Sequence, residues 1–137
     1  MGFTIDELSL GQSASFSKTI SESDVYLFAG ITGDFNPAHT NSSFATETFF
    51  RRRIAHGMLS ASLISTVLGT QLPGPGSIYV EQHLSFKAPV YFGDTITANV
   101  VVEEIFHEKN RVKLFTSCTN QDGVPVVVGY AIMLPAK

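Results

Sequence analysis

The chain has 137 residues, 44% of them hydrophobic and 15% charged, which is enough for one folded core and too little polar excess for a disordered chain. Its formal charge of −3 and pI near 5.7 exclude the basic surplus of a nucleic-acid binder. A lone cysteine, Cys118, excludes an internal disulfide, and no CxxC or HExxH spacing marks a metal site.

The opening MGFTIDELSLG is acidic and lacks an apolar run, so it reads as no signal peptide. An intracellular, reducing, cytoplasmic setting is expected, with an organellar matrix as the alternative if an import segment was removed. Loose alternation over 13–20 predicts a first strand. Ser21, with Asp24 three residues on, forms a near capping box for a helix over about 22–32. Val25, Leu27, Phe28 and Ile31 are its expected buried members, and Gly33 supplies a left-handed end. A polar segment over 34–41 follows, then a short helix around 43–49.

The next element is the most informative one. Residues 57–71 predict a helix without a single charge, with Leu59, Leu63 and Val67 along one side and Ile64 and Leu68 beside them. Small residues, Ser60, Ala61, Ser62, Ser65 and Thr66, fill the rest. Such a helix is expected to be enclosed all round. The uncharged run over 54–80 is broken by Pro73 and Pro75, so it predicts no membrane span. After LPGPG the period changes to two. Runs over 77–88, 95–106, 111–119 and 124–134 predict strands, with NQDG at 120–123 as a hairpin turn. The expected architecture is α+β: an antiparallel sheet curled around one central helix, in a single domain over 1–137.

Two constellations carry chemistry. In GDFNPAHTN, residues 33–41, Asp34 and His39 lie five apart. On one helix they would be rotated by about 140° from each other. Asn36-Pro37 argues for a bent loop instead, because proline lacks an N–H and restricts the residue before it. Such a loop can turn a carboxylate and an imidazole onto one water, which is general acid–base chemistry. A polar turn with no catalytic role explains the same residues. In Ile54-Ala55-His56-Gly57-Met58, the start of the uncharged helix presents N–H groups without intrahelical partners. Gly57 lets a carbonyl oxygen approach its N–H, giving an oxyanion site for an enolate. Tight packing alone would also select glycine there, and His56 is expected to hold the loop or cap the helix.

GDFNPAHTN followed by RRRIAHGMLSASL resembles the hydratase signature of the MaoC-like, hot-dog-fold proteins, and most of all the (R)-specific enoyl-CoA hydratases. QLPGPGSIYVEQHLSFKAPVYFGDT resembles their central strand and exit turn, and the likeness spans about residues 8 to 134. The resemblance implies a hot-dog fold and a homodimer whose sheets join edge to edge. It implies reversible syn hydration of trans-2-enoyl-CoA to (R)-3-hydroxyacyl-CoA, with an acyl-CoA thioester as substrate and no metal or redox cofactor. By position, Asp34 and His39 match the pair that activates water, and Gly57 matches the donor to the thioester carbonyl. Asn36 matches a loop-shaping position, and Ser65 and Leu68 match positions lining the acyl pocket; His56 is assigned to substrate binding with them. Ala38, Asn41 and Arg53 depart from the usual pattern without removing a reacting group.

Other readings stay open at this level. The carrier could be an acyl carrier protein, with the same chemistry run as dehydration. A hot-dog thioesterase would be expected to bring a carboxylate on the central helix, and 57–71 has none. A non-catalytic acyl-thioester binder would need neither Asp34 nor His39. Arg51-Arg52-Arg53 can attract coenzyme A phosphates or can be a solvated basic run. Cys118 is expected to be a small core residue.

Overall fold

The computed structural model describes residues 1–137. Five strands, β1 (Ser13–Thr19), β2 (Ile78–Phe86), β3 (Thr95–Phe106), β4 (Arg111–Thr119) and β5 (Pro125–Leu134), form one sheet. Every pairing is antiparallel, in the order β1-β3-β4-β5-β2. Four helices precede β2: α1 (Glu22–Thr32), α2 (Pro37–Thr40), α3 (Ser42–Thr46) and α4 (Gly57–Thr70).

The sheet wraps α4 as expected. Period-two burial runs through β3, where Ile96, Ala98, Val100 and Val102 face inward, and through β4, where Val112, Leu114, Thr116 and Cys118 do. These side chains meet Leu59, Leu63, Ile64, Val67 and Leu68 of α4, and together they make the core. The NQDG hairpin forms, with Gly123 at φ 75° and Asn120 Oδ1 accepting from the N–H groups of Asp122 and Val124 at 3.0 Å each.

β3, β4 and β5 pair in chain order, whereas β2 pairs with β5 at one edge of the sheet, so residues 87–94 carry the chain across to β3. Three expectations need correction. The buried face of α1 is Val25, Phe28 and Ala29, at i, i+3 and i+4. Leu27 and Ile31, four apart on the opposite side, are 65% and 83% exposed. α4 is enclosed on one face only, since Met58, Ser62, Ser65 and Gly69 are open in the single chain. A helix without charges can therefore leave its small-residue face uncovered by its own chain. Lastly, Pro37 does not prevent helix. It opens the one-turn α2 at the first helical position, where a missing N–H costs nothing.

Candidate active site

The segment after α1 is held by a ladder of local bonds. Ser21 and Asp24 make the reciprocal cap that starts α1, and Gly33 at φ 79° ends it. Thr32 Oγ1 donates to the Phe28 carbonyl and accepts from Asp34 N at 3.2 Å. Asp34 Oδ1 accepts from Asn36 N at 3.1 Å, and Asn36 Oδ1 accepts from Ala38 N at 3.0 Å. Asn36 is thus the N-cap of α2. The turn puts His39 inside α2 and Asp34 ahead of it. The five-residue spacing therefore runs across a helix cap, which lets the two side chains converge.

His39 is 8% exposed, and its Nδ1 donates to the Ile54 carbonyl at 2.7 Å. A carbonyl only accepts, so Nδ1 carries the proton and Nε2 of the neutral ring is a bare base. Burial pushes the His39 pKa below the ordinary imidazole value, with the His56 ring acting in the same direction. The Ile54 carbonyl and the Asp34 carboxylate act against that shift without reversing it. The Asp34 side chain is 51% exposed, so the pair has a buried base and a solvent-facing carboxylate.

His56 is 2% exposed and completes the cluster. Its Nε2 donates to the Asp34 carbonyl at 2.9 Å, and its ring stacks on His39 with centroids 3.9 Å apart at 28°. Donor atoms of Asp34, His39 and His56 all lie within 4.8 Å of one another. One water at ordinary hydrogen-bond distances from two of them spans such a gap. The three residues are close enough together to touch one cation, and none of them is a thiolate. One nitrogen of each ring is also already bonded to a carbonyl. The donor set suits proton traffic.

Gly57 is the first residue of α4, so its N–H has no intrahelical partner. A Cβ there would fall 2.7 Å from the Phe86 ring, which explains glycine by packing as well as by access. Gly57 also lies on the wall of a cavity of about 580 Å³, with Phe49, Phe50, Ile54, Met58 and Phe86. Ser60 lines it too, and its buried hydroxyl has no partner. Ile54, Ala55 and Gly57 belong to the cavity wall, while the intervening His56 belongs to the Asp34–His39 cluster. The apolar cavity and the polar pair are therefore back to back across one short segment.

Not every expected residue joins this assembly. Ser65 is on the open face of α4, and Leu68 is fully buried in the core, so neither lines the cavity of the single chain. Arg53 pairs with Glu22 at 2.7 Å and donates to the Tyr26 hydroxyl, while Arg52 stacks on Tyr91 at 3.7 Å. Cys118 donates to the Ser60 carbonyl at 3.4 Å, and burial pushes its thiol up to about 12, a poor nucleophile. Thr32 and Ser60 were not anticipated. Thr32 stands two residues before Asp34, the spacing of a hydroxyl turn, and that signal is weak.

The MaoC like domain model matches residues 7–122, most of the chain. The chain belongs to the MaoC-like dehydratase family. Among MaoC-like relatives, the (R)-specific enoyl-CoA hydratase of Rhodospirillum rubrum is 55% identical over 132 residues, covering 96% of this chain and 92% of the relative. The enzyme of the same name from Aeromonas caviae is 47% identical over 126 residues, covering 92% and 94%. In fold, the chain matches the unliganded R-hydratase PhaJ1 of Pseudomonas aeruginosa with a TM-score of 0.94 and 43% identity, over 99% of this chain and 87% of that one. The A. caviae (R)-hydratase structure matches with a TM-score of 0.89, over 92% of this chain and 96% of that one. The α+β hot-dog fold of the MaoC-like family is therefore the fold of this chain.

Proposed function

We propose that this MaoC-like chain is an (R)-specific enoyl-CoA hydratase, a hydro-lyase adding water reversibly to trans-2-enoyl-CoA. The observation that carries the site assignment is the convergence of the Asp34 carboxylate and the His39 ring within 4.8 Å, close enough to share one water, beside the start of α4. In this reading the pair holds the water. One member takes its proton as oxygen bonds to C3, and C2 is protonated from the same side. The electron pair of the double bond moves toward the thioester carbonyl, where the Gly57 N–H stabilises the enolate oxygen. Which member moves which proton is a property of the pair rather than of either residue alone. The apolar cavity beside Gly57 accommodates part of the thioester. The absence of any carboxylate on α4 disfavours thioester hydrolysis.

The proposed assembly is a homodimer. β2 is an edge strand with Ile78 and Phe86 60% and 54% exposed, and α4 leaves its small-residue face open.

Crotonyl-CoA tests the reaction directly. Loss of the enoyl-thioester absorbance with formation of the (R)-alcohol is expected. Asp34→Asn and His39→Ala should each lower kcat about 10²- to 10⁴-fold while remaining folded. Full activity in either variant would remove that residue from the mechanism, and release of free coenzyme A would replace hydration by hydrolysis.

A further inference from the structure

The mechanism above gives no task to His56, yet this side chain touches both members of the pair. Its Nε2 lies 2.9 Å from the Asp34 carbonyl oxygen and 4.0 Å from Asp34 Oδ2. Its ring stacks on His39 and packs against Phe28 of α1, with centroids 4.9 Å apart. Its Nδ1 is buried without a partner. Helix capping does not account for it, because the side chain makes no cap hydrogen bond to α4.

Resting on the assignment of Asp34 and His39 as the acid–base pair, we propose that His56 is a positioning residue. It pins the Asp34 backbone and the His39 ring at the separation one water spans, and ties both to the neighbouring Gly57 N–H. The reason is mechanical. Asp34 sits in the short connection between α1 and α2, and its carboxylate faces solvent. Its carbonyl oxygen is anchored on α4 by His56. Without that donor the carbonyl turns toward water and takes the carboxylate with it. An error near 1 Å in such a pair costs about a hundredfold in rate.

The ionisable groups acting on His39 are His56, from the start of α4, and Asp34, from the α1–α2 connection; Ile54 presents only its carbonyl. The His56 ring opposes protonation of His39 and Asp34 favours it. Removing the second imidazole at 56 should therefore move the His39 titration midpoint upward.

The test compares His56→Gln, whose amide N–H can reproduce the Nε2 donor, with His56→Leu, which fills similar space without it. His56→Leu should lower kcat about ten- to a hundredfold with KM changed by less than about threefold. His56→Gln should keep kcat within about threefold of the parent. In His56→Gln, which removes the second imidazole and keeps a polar group beside the ring, the His39 ring C–H signals followed by NMR should titrate at higher pH. Parent-like kcat in His56→Leu, equal losses in both variants, or an unmoved His39 midpoint would each overturn the proposal. If His56→Leu does not fold, His56→Asn takes its place, since its shorter amide falls short of the Asp34 carbonyl. The NMR midpoint reads the His56–His39 contact without turnover. Failure of the acid–base assignment would show separately, as full activity in Asp34→Asn or His39→Ala.

Discussion

His39 shows how one side chain is made into a base. Its Nδ1 proton is committed to the Ile54 carbonyl, its ring is buried, and its neighbour on one face is another imidazole. Burial and that neighbour disfavour the charged form, so His39 stays neutral to lower pH than a free imidazole, whose pKa is about 6.5. The low-pH limb of the kcat profile should therefore have its midpoint below about 6.5. A His56→Gln protein should move that limb upward. A limb above the free-imidazole value in the parent would mean that Asp34 dominates over burial. Gly57 makes a second point at this scale: its missing side chain serves the Phe86 ring as much as any substrate oxygen. One residue can satisfy packing and chemistry together, so glycine there is weak evidence for either alone.

At the scale of elements, caps decide where the site begins. The reciprocal Ser21–Asp24 bonds start α1, and Lys18 approaches Asp24 at 3.2 Å. Ser21→Ala should cost about 1 kcal/mol, read as a lower urea midpoint with an unchanged slope. Because α1 ends at Thr32, two residues before Asp34, fraying of this helix should lower activity as well as stability. Leu68 tests the other large element. It is fully buried against the sheet, so Leu68→Ala should destabilise by about 2–5 kcal/mol. A small stability loss with a changed acyl-chain preference would instead place Leu68 on a substrate-lining surface.

The whole molecule is a sheet with two open edges around a helix with one open face. A second copy pairing along β2 would cover Ile78 and Phe86 and extend the sheet. Light scattering on the purified chain should give twice the mass of 14.9 kDa. Val80→Lys, on the same edge strand, should shift it toward the monomer. A monomeric parent would remove the dimer from the functional reading. Acid sensitivity also belongs to this scale. His39 and Asp24 both have folded pKa values below their unfolded ones, His39 mainly through burial and Asp24 mainly through the Ser21 cap. In each case the unfolded chain binds the proton first as pH falls. Stability should hold above about pH 6.5, decline first as unfolded His39 protonates, and decline again below about 4 with Asp24. His39→Gln should remove the first decline from a series of urea melts and leave the second.

Local rules were enough for much of this. The Ser21–Asp24 cap, Gly33 as helix end, the uncharged helix over 57–70, the period-two strands and the NQDG turn are all short-range, set by residues a few positions apart. The chemical types at Asp34, His39 and Gly57 were legible for the same reason, and the signature around them named the family. Partners far apart in sequence were not legible. Periodicity does not say that β2 pairs with β5, or that Leu27 and Ile31 turn outward while Ala29 turns in. It does not say that His56, 22 residues after Asp34, binds its carbonyl, or that Arg53 is taken by Glu22. Hydrophobic pattern specifies which faces must be buried. Only the tertiary fold decides against what, because sheet order, ring stacking and the convergence of Asp34 with His39 depend on which surfaces exclude water together.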